Sequence, residues 1–164
     1  LTDTIERDQP DIIVVFVSQS LVSDRQVDGR RLEFDSSAYE DYLDRGFDRL
    51  KERIDAAPGD HRVVLVNLAC HRVPDFGVDQ EVTRFNDDIK VGRVNELAAS
   101  WAEANDVDVI DQNSFLCGDG YHDGLNGTPL YEDYLHVTRD SGREVWSWLA
   151  PRVRDAANGD PQPS

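Results

Sequence analysis

Three short apolar runs alternate along the chain with longer stretches whose apolar positions recur at spacings of three and four. The runs are Asp11 to Val17, His61 to Leu68 and Val107 to Asp111, and β-branched residues dominate them. Such runs suit strands covered on both faces, as in a parallel sheet. They predict strands near residues 12–17, 62–68 and 107–110. Between them, Tyr39, Tyr42, Leu43, Phe47, Leu50 and Ile54 mark a helix from about Ala38 to Ala57, with Ser36 and Ser37 at its start and Pro58-Gly59 after it. Ile89, Val91, Val94, Leu97, Ala98 and Trp101 mark the inner face of a second helix from about Asn86 to Asn105. Val145, Trp146, Trp148 and Leu149 mark a third, beginning near Asp140. Ser18 to Phe34, Cys70 to Thr83 and the glycine-rich Phe115 to Leu130 read as loops.

Strand and helix in strict alternation define an α/β fold: a three-layer α/β/α sandwich on a short parallel sheet, with right-handed crossovers. Residues 1–154 form the single domain, and residues 155–164 are expected to be a disordered tail. In such sheets the site lies beyond the carboxyl ends of the strands. The loops there begin at Ser18, Ala69 and Gln112, and the last continues to His136. One end of the domain is thus expected to gather both cysteines and the segment Asp133-Tyr134-Leu135-His136.

Charge narrows the choice of partner. Asp and Glu number 33 against 17 Lys and Arg, a net charge of −16. Lysine is nearly absent. A surface this acidic repels nucleic acid and anionic membranes, and both are set aside. The chain opens on Leu1 and contains no methionine, so we expect an excised piece of a longer polypeptide.

An aspartate three residues ahead of a histidine, in the loop feeding the last helix, can supply two thirds of a hydrolase triad. The carboxylate holds one ring nitrogen and the other is left to take a proton from a serine. Asp133 and His136 are therefore the candidate catalytic pair, the alternative being a turn-capping aspartate beside a half-exposed histidine. No Gly-Asp-Ser or Gly-x-Ser-x-Gly accompanies them. Ser18 and Ser20 are minor nucleophile candidates. His122, Asp123, Asp133 and His136 match no common zinc spacing, so no metal and no cofactor is expected. Cys70 and Cys117 each follow an apolar run. They suit either a disulfide joining two loops or a pair of buried thiols. Asn95 and Trp101 read as packing residues, Asp24-Arg25 as a loop ion pair, and Glu132 as solvated.

The ordered set of segments resembles a known family. "QPDIIVVFVSQS", "RVVLVNLACH", "FNDDIKVGRVNELAASWAEANDVDVIDQNSFLC" and "YEDYLHVTRDSGREVWSWLAPRV" are similar, in this order, to the SGNH-hydrolase domain fused to acyltransferase-3 membrane proteins, which O-acetylate cell-envelope glycans. The resemblance spans roughly residues 8 to 154. It implies Asp133 as the orienting carboxylate, His136 as the general base, a disulfide between Cys70 and Cys117, and an extracytoplasmic location. It also implies that the family's first strand, ending in Gly-Asp-Ser, precedes Leu1. The family's second-block glycine has no counterpart here. Its oxyanion asparagine is replaced by Ser18-Gln19-Ser20, where Gln19 can donate a comparable hydrogen bond.

The function so implied is transfer of acetyl or another acyl group to hydroxyls of envelope polysaccharide or peptidoglycan. The partners are an acyl donor, the glycan and an acyltransferase-3 membrane domain that tethers the protein. Two alternatives are a secreted carbohydrate esterase of the same fold and a non-catalytic glycan-binding domain without the nucleophile. On any of these readings, the 164-residue chain alone is expected to be inactive or nearly so.

Overall fold

The computed structural model describes residues 2–72, 87–118, 120–133 and 136–159. The expected helix start at Asn86, most of the loop from Cys70 to Thr83, and the tail from Asp160 lie outside these residues.

The three apolar runs form one parallel sheet. Its strands are β1 (Ile12–Phe16), β4 (Arg62–Val66) and β5 (Asp108–Ile110), in the order β1-β4-β5. Ile12 pairs with Arg62 and Phe16 with Val66; Val64 pairs with Asp108 and Val66 with Ile110. Alternate side chains serve opposite layers, as the pleat requires. Leu65, with Val63 beside it, packs toward Val91, Val94, Ala98 and Trp101. Val64 and Val66 pack toward Leu149 and Ala156.

Each layer's helices follow from capped, periodic segments. Helix α2 (Ser37–Asp55) is capped by Ser36, whose hydroxyl accepts from the Tyr39 amide. Helix α3 (Asp88–Ala104) is capped by Asp87, which accepts from Ile89 and Lys90. These two flank one face, joined by Phe47 stacked on Trp101 and by Trp101 Nε1 donating to Asp48 at 2.7 Å. Helix α5 (Arg139–Asn158), capped by Thr138, covers the other face. Short helix α1 (Thr2–Asp8) buries Ile5 against Ile54 and Ala57 at the amino-terminal side of the sheet. No helix among the described residues is long and apolar enough to cross a membrane.

Four expectations change. The loop from Ser18 to Phe34 contains a 3₁₀ turn (Gln19–Val22) and a hairpin of β2 (Arg25–Val27) and β3 (Arg30–Leu32). The hairpin turns at Asp28-Gly29, both at positive φ, as a two-residue type I′ turn requires. Helix α4 (Gln112–Cys117) runs into the glycine-rich stretch, which also holds a second tiny hairpin, β6 (Gly124–Leu125) with β7 (Thr128–Pro129), turning at Asn126-Gly127. Ile89, expected on the inner face of α3, is 85% exposed, because it lies in the first turn, clear of the sheet. The segment from residue 155, expected to be disordered, continues α5 to Asn158, where Gly159 closes the helix in a left-handed cap. Buried Ala156 holds that last turn on the sheet.

Candidate active site

The carboxyl ends of the three strands lead into loops that a polar network locks together. After β4, the Asn67 amide donates to Asp111 at 2.7 Å, and its carbonyl accepts from the Asn113 backbone. Leu68 is held on both backbone groups: its N–H donates to Asn95 Oδ1 at 2.8 Å, and its carbonyl accepts from Asn95 Nδ2 and Asn113 Nδ2. Asn95, expected to be a packing residue, is thus the side chain through which α3 grips the loop. Asp111 also caps α4, accepting from the Ser114 amide and hydroxyl. Burial would raise its carboxyl, but the hydrogen bonds from Ser114, Asn67 and Asn113 outweigh that and hold it below the usual aspartate value.

Two residues beyond Leu68, Cys70 is joined to Cys117 in a disulfide, with Cα atoms 6.0 Å apart. The bond ties the loop after β4 to the end of α4 and is buried with Ala69, Leu116 and Leu130. Tyr131 closes the same corner. Its hydroxyl donates to the Cys70 carbonyl at 2.9 Å, and its ring lies 5.5 Å from that of His71. Burial raises the Tyr131 hydroxyl to about 12, so it remains a donor.

The loop bearing the candidate pair grows out of Tyr131. Tyr131 bridges Val137, the Glu132 N–H donates to the His136 carbonyl at 2.7 Å, and the Thr138 N–H donates to Leu130. Thr138 and Ser141 hydroxyls both donate to the Pro129 carbonyl. Within this frame both oxygens of Asp133 are engaged. Oδ1 accepts from the His136 backbone and Oδ2 meets His136 Nδ1, each at 2.7 Å. A carboxylate only accepts, so Nδ1 carries the proton and Nε2 presents its lone pair. The hydrogen bond expected between these two side chains is therefore present.

His136 lines a cavity of about 500 Å³ at the carboxyl end of the sheet. Phe16, Val17 and Gln19 contribute from the β1 side, Asn67, Leu68, Ala69 and His71 from the loop after β4, and Gln112 and Leu116 from α4. Tyr131, Val137, Gly142, Val145, Trp146 and Leu149 complete it. Gln19 is brought to the same cavity as His136, and its Nε2 is buried without a hydrogen-bond partner. Ser18 and Ser20 are not. Their hydroxyls meet each other at 3.0 Å, and Ser18 caps the 3₁₀ turn. The described lining contains no serine, threonine or cysteine. Asp24 and Arg25 do not pair with each other: Asp24 binds Arg31 and the Phe34 amide, and Arg25 donates to Ser20. Among the described residues no three His, Cys, Asp or Glu side chains converge on a point where an ion could sit.

Sequence reasoning missed Asn67, His71, Asn95 and Tyr131. Asn67 carried a usable signal, an amide directly after a buried strand on the functional edge of the sheet. The others acquire their roles from contacts across the fold.

The fold has solved counterparts. It superposes on a GDSL-like lipase from Bacteroides thetaiotaomicron with a TM-score of 0.61 at 16% identity, covering 93% of this chain and 69% of the lipase. A candidate acylhydrolase from Bacteroides fragilis gives 0.62 at 15% identity, covering 94% and 68% respectively. An acetyl xylan esterase gives 0.52 at 17% identity, covering 90% and 70%. No protein-family model and no curated protein matches the sequence. The chain thus has the α/β fold of SGNH or GDSL-like acylhydrolases.

Proposed function

We propose that this chain carries the general-base half of an SGNH-type acyl-transfer site, and that the attacking serine comes from polypeptide outside these 164 residues. The observation that carries the reading is the Asp133–His136 hydrogen bond at the mouth of the strand-end cavity. In the mechanism that follows, His136 Nε2 takes the proton of the serine as its oxygen attacks the ester carbonyl. Asp133 stabilises the imidazolium, and Gln19 Nε2 donates to the oxyanion. The leaving alkoxide departs with the proton held by His136, giving an acyl-serine. An acceptor hydroxyl then loses its proton to His136 and attacks, and the serine regains that proton as the new ester leaves.

Two features support the supplied serine. Among the described residues β1 pairs with β4 alone, so its outer edge has room for a further parallel strand. On that strand Phe16 is 56% exposed, apolar surface that a neighbouring strand would cover. The open mouth also accounts for the exposure of the His136 and Asp133 side chains, 72% and 57%.

For the acceptor we favour hydroxyls of envelope polysaccharide or peptidoglycan, on the extracytoplasmic face and alongside an acyltransferase-3 membrane domain. The sequence resemblance supports this, and a disulfide suits an oxidising compartment. With water as acceptor the same residues make an esterase.

The test is p-nitrophenyl acetate cleavage by the complete protein that includes this chain. His136→Ala should lower kcat by several orders of magnitude and Asp133→Asn by roughly four. Activity unchanged by both substitutions would leave a glycan-binding domain without catalysis as the better reading.

A further inference from the structure

Of the polar side chains on the cavity wall that the mechanism above leaves unused, His71 is the one with a buried ring nitrogen lacking a partner. It is more than nine-tenths buried, at 7% exposure, and its Nδ1 has no hydrogen-bond partner. It lines the cavity that His136 and Gln19 also line. Nor is it loosely placed. The neighbouring Cys70 is bonded to Cys117, the Cys70 carbonyl is held by Tyr131, and the Tyr131 ring packs on the imidazole.

We infer that His71 binds a hydroxyl of the neutral, polyhydroxylated acceptor whose other hydroxyl is acylated at His136. Burial lowers the ring's proton affinity and outweighs the opposing effect of the Ala69 backbone, so the imidazole is neutral near pH 7. A neutral imidazole offers one donor and one acceptor. A hydroxyl, which both donates and accepts, can satisfy either tautomer, whereas a carboxylate can satisfy only the donor. The net charge of −16 disfavours anionic ligands further. Tyr131 and Trp146 supply the apolar faces against which a sugar ring packs, leaving its hydroxyls to the few polar groups of the wall. A buried ring atom without a partner is costly in the free protein, and a bound hydroxyl removes that cost. The inference rests on the acyl-transfer reading for its purpose, though the binding site itself does not.

The test uses the complete protein, p-nitrophenyl acetate as donor, and methyl β-D-glucopyranoside and N-acetylglucosamine as acceptor probes. His71→Phe should leave first-turnover release of p-nitrophenol within about twofold of wild type. It should raise the half-saturating sugar concentration roughly three- to tenfold, the share of one neutral hydrogen bond. His71→Gln, which keeps a donor and an acceptor, should recover most of that loss. A purely structural role would lower first turnover and sugar dependence together, and His71→Gln would not separate them. Independently of turnover, titrating wild-type protein with either sugar should move the ¹⁵N resonances of the His71 ring. No movement with either sugar, or an unchanged sugar dependence in His71→Phe, overturns the inference even where acyl transfer is confirmed. Movement of those resonances in a protein that forms no acetyl-enzyme upholds the sugar site and sinks the acyl-transfer reading instead.

Discussion

Reducing the Cys70–Cys117 bond should destabilise the fold by about 4 kcal/mol at 25 °C, almost all of it through the unfolded chain. The bond joins residues 47 apart in sequence. Releasing a loop of that length restores chain entropy worth roughly 4 kcal/mol on the loop-closure account. The folded side changes little. Cys70 and Cys117 are 3% and 9% exposed, packed among Ala69, Leu116 and Leu130, and two thiols occupy nearly the volume of the bond they replace. Reduction is therefore a cleaner perturbation than Cys→Ala, which would add a cavity. For a chain of this size the loss corresponds to a fall of about 8–16 °C in Tm. The assay is thermal unfolding followed by circular dichroism. One sample is unfolded, reduced and refolded under reductant, the other is left oxidised, and alkylation with mass spectrometry verifies the thiol count. A shift under about 2 °C with reduction complete would refute the entropic argument. A shift far above 16 °C would show that the bond also holds native contacts around His71 and Tyr131.

Two further predictions concern the polar network behind the site. Asn95→Ala leaves the buried Leu68 N–H without a partner, while the Leu68 carbonyl keeps Asn113; chemical denaturation should show a loss of about 1–3 kcal/mol, and a loss below measurement would show that water replaces the amide. Asp111 titrates lower in the folded protein than in the unfolded chain. Its contribution is therefore complete above the ordinary aspartate pKa of about 3.9 and disappears as pH falls through the lower folded value. Asp111→Asn should flatten that acid limb of the stability profile, and an unchanged limb would assign it to other carboxylates.

The parts of this structure that were legible in the sequence are those set by local periodicity. β1, β4 and β5 are β-branched runs whose burial on both faces needs no tertiary knowledge to anticipate. α2 and α3 show their apolar spacing and a capping Ser or Asp. The hairpins were signalled by Asp28-Gly29 and Asn126-Gly127, but strands of three and two residues carry too few alternating positions to stand out from loop. Helix α4 is six residues long and owes its existence to the Asp111 cap and the disulfide at its end. The contact between Asp133 and His136 was legible because a three-residue spacing lets one carboxylate reach both the backbone and the ring. His71 was not, because nothing in Ala69-Cys70-His71-Arg72 reveals that Tyr131, sixty residues on, will bury the ring. Gln19 lay between: its amide was an evident donor, but only the fold places it beside His136's cavity rather than in solvent.

The central claim is that His136, oriented by Asp133, deprotonates a serine that these residues do not contain. Trapping the acyl-enzyme tests it most directly. The complete protein is mixed with p-nitrophenyl acetate, quenched in acid within the first turnover, and mapped by peptide mass spectrometry. The account predicts one acetyl group, on a serine outside the 164-residue sequence, formed in wild type and suppressed by orders of magnitude in His136→Ala. An acetyl group on Ser18 or Ser20, or one that forms at the wild-type rate without His136, would contradict it.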